Sequence, residues 1–188
     1  MSIERGKQLQ YLTLGYNAVE AVVAVGAGAV ASSVALVSFG LDSVVELMAS
    51  VAALGLLLSR TSERTAGRWV GVSLGLLAVG TAWQALSKAG EAERSEAGLA
   101  IAALSVVVMP WLAREKRKVA GSLGSCALES EAKQTDFCFY LSVILLVGMG
   151  AQWLVGWGWV DRVAALAMTP LMGWEARKAW EGKGCGCH

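Results

Sequence analysis

Long apolar segments alternate with short polar ones along the whole chain, and this pattern predicts the architecture. A helix needs about 20 apolar residues to cross the hydrocarbon core of a bilayer. Apolar segments that suit a crossing recur along the chain, and polar residues interrupt some of them, most of all "ESEAKQTD" in the fifth. We therefore predict an all-α membrane protein with six transmembrane helices. Their expected bounds are Leu9–Ala31, Val34–Leu58, Trp69–Leu86, Gly98–Leu112, Leu123–Leu154 and Trp159–Trp180.

Composition agrees with a membrane location. The 188 residues are 55% hydrophobic and 16% charged, with a mean hydropathy of +0.53, whereas soluble domains carry about 25% charged residues. The net charge of +1 gives no reason to expect a nucleic-acid partner. Because the polar start "MSIERGKQLQ" leads directly into the first apolar segment, we expect no cleavable signal peptide and a multi-pass protein of the inner (plasma) membrane.

Basic residues between the apolar segments predict the orientation. Cytoplasmic loops of membrane proteins are enriched in lysine and arginine. With a cytoplasmic N-terminus, the inside segments hold most of the 16 basic residues and the outside loops hold few, so both termini are predicted to be cytoplasmic. The inside residues are Arg5, Lys7, Arg60, Arg64, Arg68, Arg114, Lys116, Arg117, Lys118, Arg177, Lys178 and Lys183.

Two acids interrupt the second apolar segment, in "FGLDSVVELMAS". Asp42 and Glu46 are four residues apart, so they project from the same face of a helix. Each acid costs at least about 2.5 kcal/mol near the membrane centre. No lysine or arginine is expected at comparable depth in the first four helices, so a bound cation, or protons in its absence, would compensate the charge. The alternative is a polar contact that only holds helices together.

Polar residues in the first and fifth segments are further candidates. Asn17 and Glu20 lie one turn apart, and Glu20 is either a ligand, a proton carrier or a helix–helix hydrogen-bond partner. Glu131, Gln134 and Cys138 form one stripe of the fifth helix, where the thiol and the amide carbonyl are metal-ligand types. Free cysteine is also a common buried filler, so both roles remain open for Cys138. We expect Asp136, on nearly the opposite face, to be solvated.

The last residues, "GKGCGCH", form a separate candidate site. Residues 1–182 are predicted to form the transmembrane domain, and 183–188 a short tail in which Cys185, Cys187 and His188 bind metal transiently. His188 is the only histidine, and no nucleophile–base pair or phosphate-binding glycine loop is apparent. We therefore predict that the protein is not an enzyme and needs no cofactor.

A short internal repeat relates the second and fifth helices. "SVALVSFGLDSVVE" aligns without gaps to "SCALESEAKQTDFC", which pairs Asp42 with Gln134 and Glu46 with Cys138. The two predicted helices cross the membrane in opposite directions. Inverted repeats that meet at a midplane site are a transporter architecture.

These motifs resemble the cation diffusion facilitator family of six-helix divalent-metal/proton antiporters. "YNAVEAVVAVGAGAVASSVALVSFGLDSVVE" is similar to the family's signature across helices one and two, where two acids are spaced D-x-x-x-D. "GSCALESEAKQTDFCFYLSVILLVG" is similar to its helix-five signature, and "GWVDRVAALAM" to the start of its sixth helix. The resemblance covers essentially the whole chain.

The resemblance implies a transport site made of four residues, Asp42, Glu46, Gln134 and Cys138. Gln134 and Cys138 replace the usual histidine and aspartate, which leaves the metal open and gives Glu131 or Glu20 a potential part. The family's soluble C-terminal domain is expected to be missing. The homodimer usual in the family would then depend on membrane helices.

The predicted function is proton-coupled efflux of a divalent transition metal, with zinc the first expectation because mixed carboxylate and thiol ligands suit it. The expected partners are the metal ion, protons, the lipid bilayer and a second copy of the chain. Two alternatives remain open at this point. One is a non-transporting membrane subunit or metal sensor with structural buried acids, and the other is an organic-cation transporter.

Overall fold

A computed structural model describes residues 3–58, 63–87, 91–124 and 126–181. Within these ranges the chain is all-helical, as predicted. The helices are α1 (Ile3–Val30), α2 (Val34–Leu57), α3 (Glu63–Ser87), α4 (Glu96–Leu123), α5 (Cys126–Val155) and α6 (Val160–Glu181).

In the part of the chain that the structure describes, four helical segments are long and apolar enough to span a membrane: Ile3–Val30, Val34–Gly55, Glu96–Leu123 and Glu131–Val155. They belong to α1, α2, α4 and α5. The apolar part of α3 is shorter, Gly71–Ser87. Large apolar side chains that face outward, such as Val22, Val107 and Leu154, agree with a surface in contact with lipid.

The fourth helix is longer than predicted. Its predicted end was Leu112, but α4 continues to Leu123 and ends at Gly124, which adopts the left-handed conformation at φ 61°. The basic residues Arg114 to Lys118, expected in a loop, therefore lie on this helix. A helix of 28 residues is about 42 Å long, more than one hydrocarbon core requires.

Close packing of α1 against α2 depends on glycine. A Cβ atom at Gly28 would lie 2.8 Å from Val37, and one at Gly40 would lie 2.8 Å from Val25. The two contacts are reciprocal because the helices run antiparallel. Small residues let helix backbones approach closely in a membrane, and this approach brings the polar residues of α1 and α2 together.

The bundle has two ends with different contacts. At the Asp161 end, the first turn of α6 reaches the start of α2: Ser33 Oγ donates to Asp161 at 2.5 Å, and the Val34 amide donates at 2.8 Å. A carboxylate at a helix N-terminus satisfies free amides and complements the helix dipole. At the opposite end, the Lys116 end, Arg5 of α1 pairs with Glu115 of α4 at 2.8 Å.

Candidate metal-binding centre

Polar side chains line the interior between α1, α2, α4 and α5. On α1 the buried face includes Gln10, Thr13, Asn17 and Glu20, spaced at one helical stripe. On α2, Asp42 and Glu46 are fully buried, and the rise of a helix places them about 12 and 18 Å from its start at Val34. We call Glu20, Asp42, Glu46 and Cys138 the acidic centre. All four have no exposed surface.

Glu20 is the best hydrogen-bonded member of the acidic centre. Ser43 Oγ of α2 donates to Glu20 Oε2 at 2.8 Å, and Ser105 of α4 donates to Oε1. Ser105 Oγ also lies 2.7 Å from the Tyr16 hydroxyl. Cys138 of α5 approaches Glu20 Oε2 at 3.9 Å. Glu20 therefore joins four helices, which is compatible with each of the three roles that the sequence left open.

Asp42 differs from Glu20 in its hydrogen bonding. Among the described residues, neither of its carboxylate oxygens has a hydrogen-bond partner of ordinary geometry. The negative charges of Glu46 and Glu20 act on it, and the weakly donating Cys138 thiol is near enough to interact. A buried polar group without a hydrogen bond is costly, and a buried charge without a partner costs far more. Asp42 therefore requires a proton or a cation.

The contacts of Glu46 show that one prediction, about basic residues near the buried acids, was wrong. Thr135 Oγ1 of α5 donates to Glu46 Oε1 at 2.6 Å, and Lys116 Nζ of α4 lies 3.6 Å from the same oxygen. No basic residue was expected at the depth of these acids in the first four helices. That prediction is wrong, because α4 continues past Leu112 and its buried face carries Lys116 inward.

A second polar group adjoins Glu46 toward the Lys116 end. Lys116 is 2% exposed and forms an ion pair with Glu131, and its Nζ also donates to Thr135 Oγ1 at 2.7 Å. Glu131 accepts from Gln10 Nε2 at 3.0 Å and from Ser50 Oγ at 3.2 Å. We call Gln10, Ser50, Lys116, Glu131 and Thr135 the Lys116 cluster.

The predicted stripe on α5 is buried as expected, but its members differ in their contacts. Glu131 belongs to the Lys116 cluster and Cys138 to the acidic centre. Gln134 is 5% exposed, and its Nε2 atom has no hydrogen-bond partner within the described ranges. Asp136 lies away from both groups and pairs with Arg117 near the surface, as its predicted solvated position implies.

Asn17 is buried with both side-chain polar atoms unpartnered in the part of the chain that the structure describes. Glu20 contacts Ser43, and Gly6 lies against Leu57, so α1 and α2 run antiparallel in register. Asn17 lies three residues before Glu20 on α1, and Glu46 lies three residues after Ser43 on α2. Because the helices are antiparallel, Asn17 is level with Glu46. Its amide is thus a further neutral oxygen donor at the level of the acidic centre.

Several of these residues were missed in the sequence, although helical spacing marks them. Ser105, Met109, Leu112 and Lys116 follow one face of α4, and all are buried. Continuing that face beyond Leu112 would have found Lys116. Thr135 directly follows Gln134, and which of the two contacts Glu46 depends on the rotation of α5 against α2, which spacing along one helix does not predict.

The six predicted ligands do not close around one point. Among the described residues, no three His, Cys, Asp or Glu side chains are grouped tightly enough to hold a metal ion. Glu20, Asp42, Glu46 and Cys138 interact electrostatically with one another, whereas Glu131 is engaged by Lys116. Tail residues Cys185, Cys187 and His188 lie outside the described residues.

Comparisons of the chain with models of known protein families and with curated proteins find no match.

Proposed function

We propose that this protein exports a divalent transition-metal cation, zinc in the first instance, in exchange for protons. Asp42 carries the proposal. Its carboxyl group is fully buried in an apolar helix and lacks a hydrogen-bond partner of ordinary geometry among the described residues. Ionisable residues within membrane spans mark ion and proton pathways by default.

The charge balance of the interior supports a cationic substrate. Four carboxyl groups, those of Glu20, Asp42, Glu46 and Glu131, face one ammonium group, Lys116, among the buried groups described between α1, α2, α4 and α5. If all of these described groups are ionised, their net charge is three negative. A divalent metal can neutralise two of these charges, and protons can replace the metal after its release.

The donor set suits zinc. Carboxylate oxygens of Asp42, Glu46 and Glu20 and the Cys138 sulfur are common zinc ligands. Gln134 and Glu131 would be accessory donors from α5. The acids must come closer together to coordinate one ion, which fits a site that assembles when cargo enters and opens when it leaves.

The proposed topology has six crossings of the inner membrane, with both chain ends cytoplasmic and α2 and α5 as inverted counterparts. Arg5, Arg114 and Arg177 belong to the Lys116 end, which would then face the cytoplasm. Metal would enter from that end and leave past Asp161. This assignment, the homodimer and the likeness to the cation diffusion facilitators belong to the same proposal.

The test is metal uptake into proteoliposomes across a set pH gradient, with a panel of divalent metals. Asp42→Asn should abolish proton-linked zinc flux. The matched control is Asp136→Asn, the same chemical change outside the acidic centre, which should retain flux. Flux that survives Asp42→Asn would remove Asp42 from the mechanism, and uptake inhibited by organic amines but not by metals would favour an organic-cation transporter.

A non-transporting membrane subunit is the second candidate. The observation in its favour is the Lys116 cluster, where Glu131 is paired and hydrogen-bonded much like a structural ion pair. It predicts no flux with any metal in the wild-type protein, although the protein folds and inserts.

A further inference from the structure

We propose that Lys116 is a tethered cation that competes with the transported metal for Glu46 and Glu131. The inference rests on the proposed function and extends it to selectivity. It gives a residue outside the predicted ligand set a defined part in cargo binding.

The position of Lys116 supports this role. Its ammonium lies between a carboxylate of α2 and a carboxylate of α5, 3.6 Å from Glu46 Oε1 and in direct contact with Glu131. Only 2% of the Lys116 surface is exposed, so its ammonium group is desolvated between the two carboxylates. These are two of the acids that a metal ion would otherwise bind.

Each of the two acids also accepts a hydrogen bond from at least one neutral side chain. Gln10 and Ser50 donate to Glu131, and Thr135 donates to Glu46. The particular contribution of Lys116 is its positive charge. Glu46 also has an oxygen, Oε2, that lacks a partner in the described part of the chain and remains open to another cation.

Lys116 also lies on the side from which cargo would enter. Glu131 is five residues from the start of α5, about 8 Å along the helix, whereas Cys138 lies about 18 Å along it. A cation that moves from the Lys116 end to Asp42 therefore passes the ammonium first. A divalent ion attracts the two carboxylates more strongly than the ammonium does, but a monovalent ion has no such advantage. Lys116 thus favours divalent cargo.

The experiment is zinc titration of the purified full-length protein in detergent at fixed pH. Lys116→Met removes the charge and keeps the length of the side chain, and it should raise zinc affinity about tenfold or more because the competitor is gone. Lys116→Arg should stay near wild type. The matched control is Lys118→Met on the same helix, whose ammonium pairs with Glu115 away from the acidic centre.

A suppressor pair covers the case in which Lys116→Met does not fold. Glu131→Gln alone should weaken zinc binding, since it leaves the ammonium to Glu46. The double variant Lys116→Met with Glu131→Gln removes both charges and should bind zinc at least as tightly as the wild type, although it has lost a carboxylate.

Three results are decisive. If the wild type binds zinc and Lys116→Met binds it equally or more weakly, the proposed competition is overturned and the transporter proposal stays intact. If Lys116→Met does not fold, a double variant no tighter than Glu131→Gln would do the same. No zinc binding by the wild type or any Lys116 variant would overturn both proposals.

Discussion

The acidic centre and the Lys116 cluster both contain buried carboxyl groups, but the charges of these groups are compensated to different extents. In the Lys116 cluster, Glu131 has an ammonium partner and two further hydrogen-bond donors. In the acidic centre, Asp42 has no hydrogen bond of ordinary geometry among the described residues, and the nearby carboxyl groups of Glu46 and Glu20 disfavour its charge. A buried acid with protein partners can be structural. Asp42 lacks such partners among the described residues, and it is therefore the group to which we attribute cation binding in the proposal.

Removing the lysine should have the largest effect. Without metal, Lys116→Met leaves Glu46 and Glu131 without their buried cation, and breaking such a pair costs about 3–5 kcal/mol. We expect a lower unfolding temperature in chelator-treated detergent samples. Added zinc should restore much of the loss in this variant. Equal stability to the wild type in chelator would show that the pair contributes little.

The hydrogen bonds to Glu20 should come next. Ser105→Ala removes a donor to a buried carboxylate and should destabilise the fold by about 1–3 kcal/mol. Thermal unfolding measures this change. Ser142→Ala is the matched control, because within the described ranges Ser142 donates to the backbone of its own helix, at 2.8 Å to the Cys138 carbonyl oxygen. Similar losses in both variants would mean that Glu20 is not specially supported.

Neutralising Asp42 should have a smaller effect of the opposite sign. Asp42→Asn replaces a buried group that must take up a proton when no metal is bound, and it should stabilise the metal-free protein at neutral pH by about 1 kcal/mol. Zinc binding should fall by at least about 100-fold, since even residues that only support ligands are worth 10–100-fold in affinity. Unfolding with and without zinc tests both parts. A variant that is less stable than the wild type and still binds zinc would contradict the view that Asp42 is the uncompensated, metal-binding acid.

The smallest effect is expected at Asp136. Its ion pair with Arg117 is partly exposed, with 47% of the arginine side chain accessible, and such pairs contribute about 0–1 kcal/mol. Asp136→Asn should leave unfolding nearly unchanged, and high salt should have little further effect. A loss comparable to that of Lys116→Met would mean that burial does not separate the two kinds of acid.

Local pattern was enough to predict the helices and the burial of the polar stripes. Asp42 and Glu46 share a face because a helix repeats every 3.6 residues, and Glu131, Gln134 and Cys138 follow the same rule on α5. The neighbours of each stripe were not predictable in this way. Thr135 contacts Glu46 although Gln134 was the candidate, because the rotation of α5 against α2 depends on packing along their whole length.

By itself, the sequence determined a helical membrane protein with acids on the inner faces of its helices, because apolar length and helical period are local properties. The tertiary structure decided which acids are compensated. It placed Lys116 beside Glu46 and Glu131 and gave Asp42 no cationic partner among the described residues, since charge pairing depends on distances between helices that are far apart in the chain. The pairing of Asp161 with the start of α2 was decided in the same way.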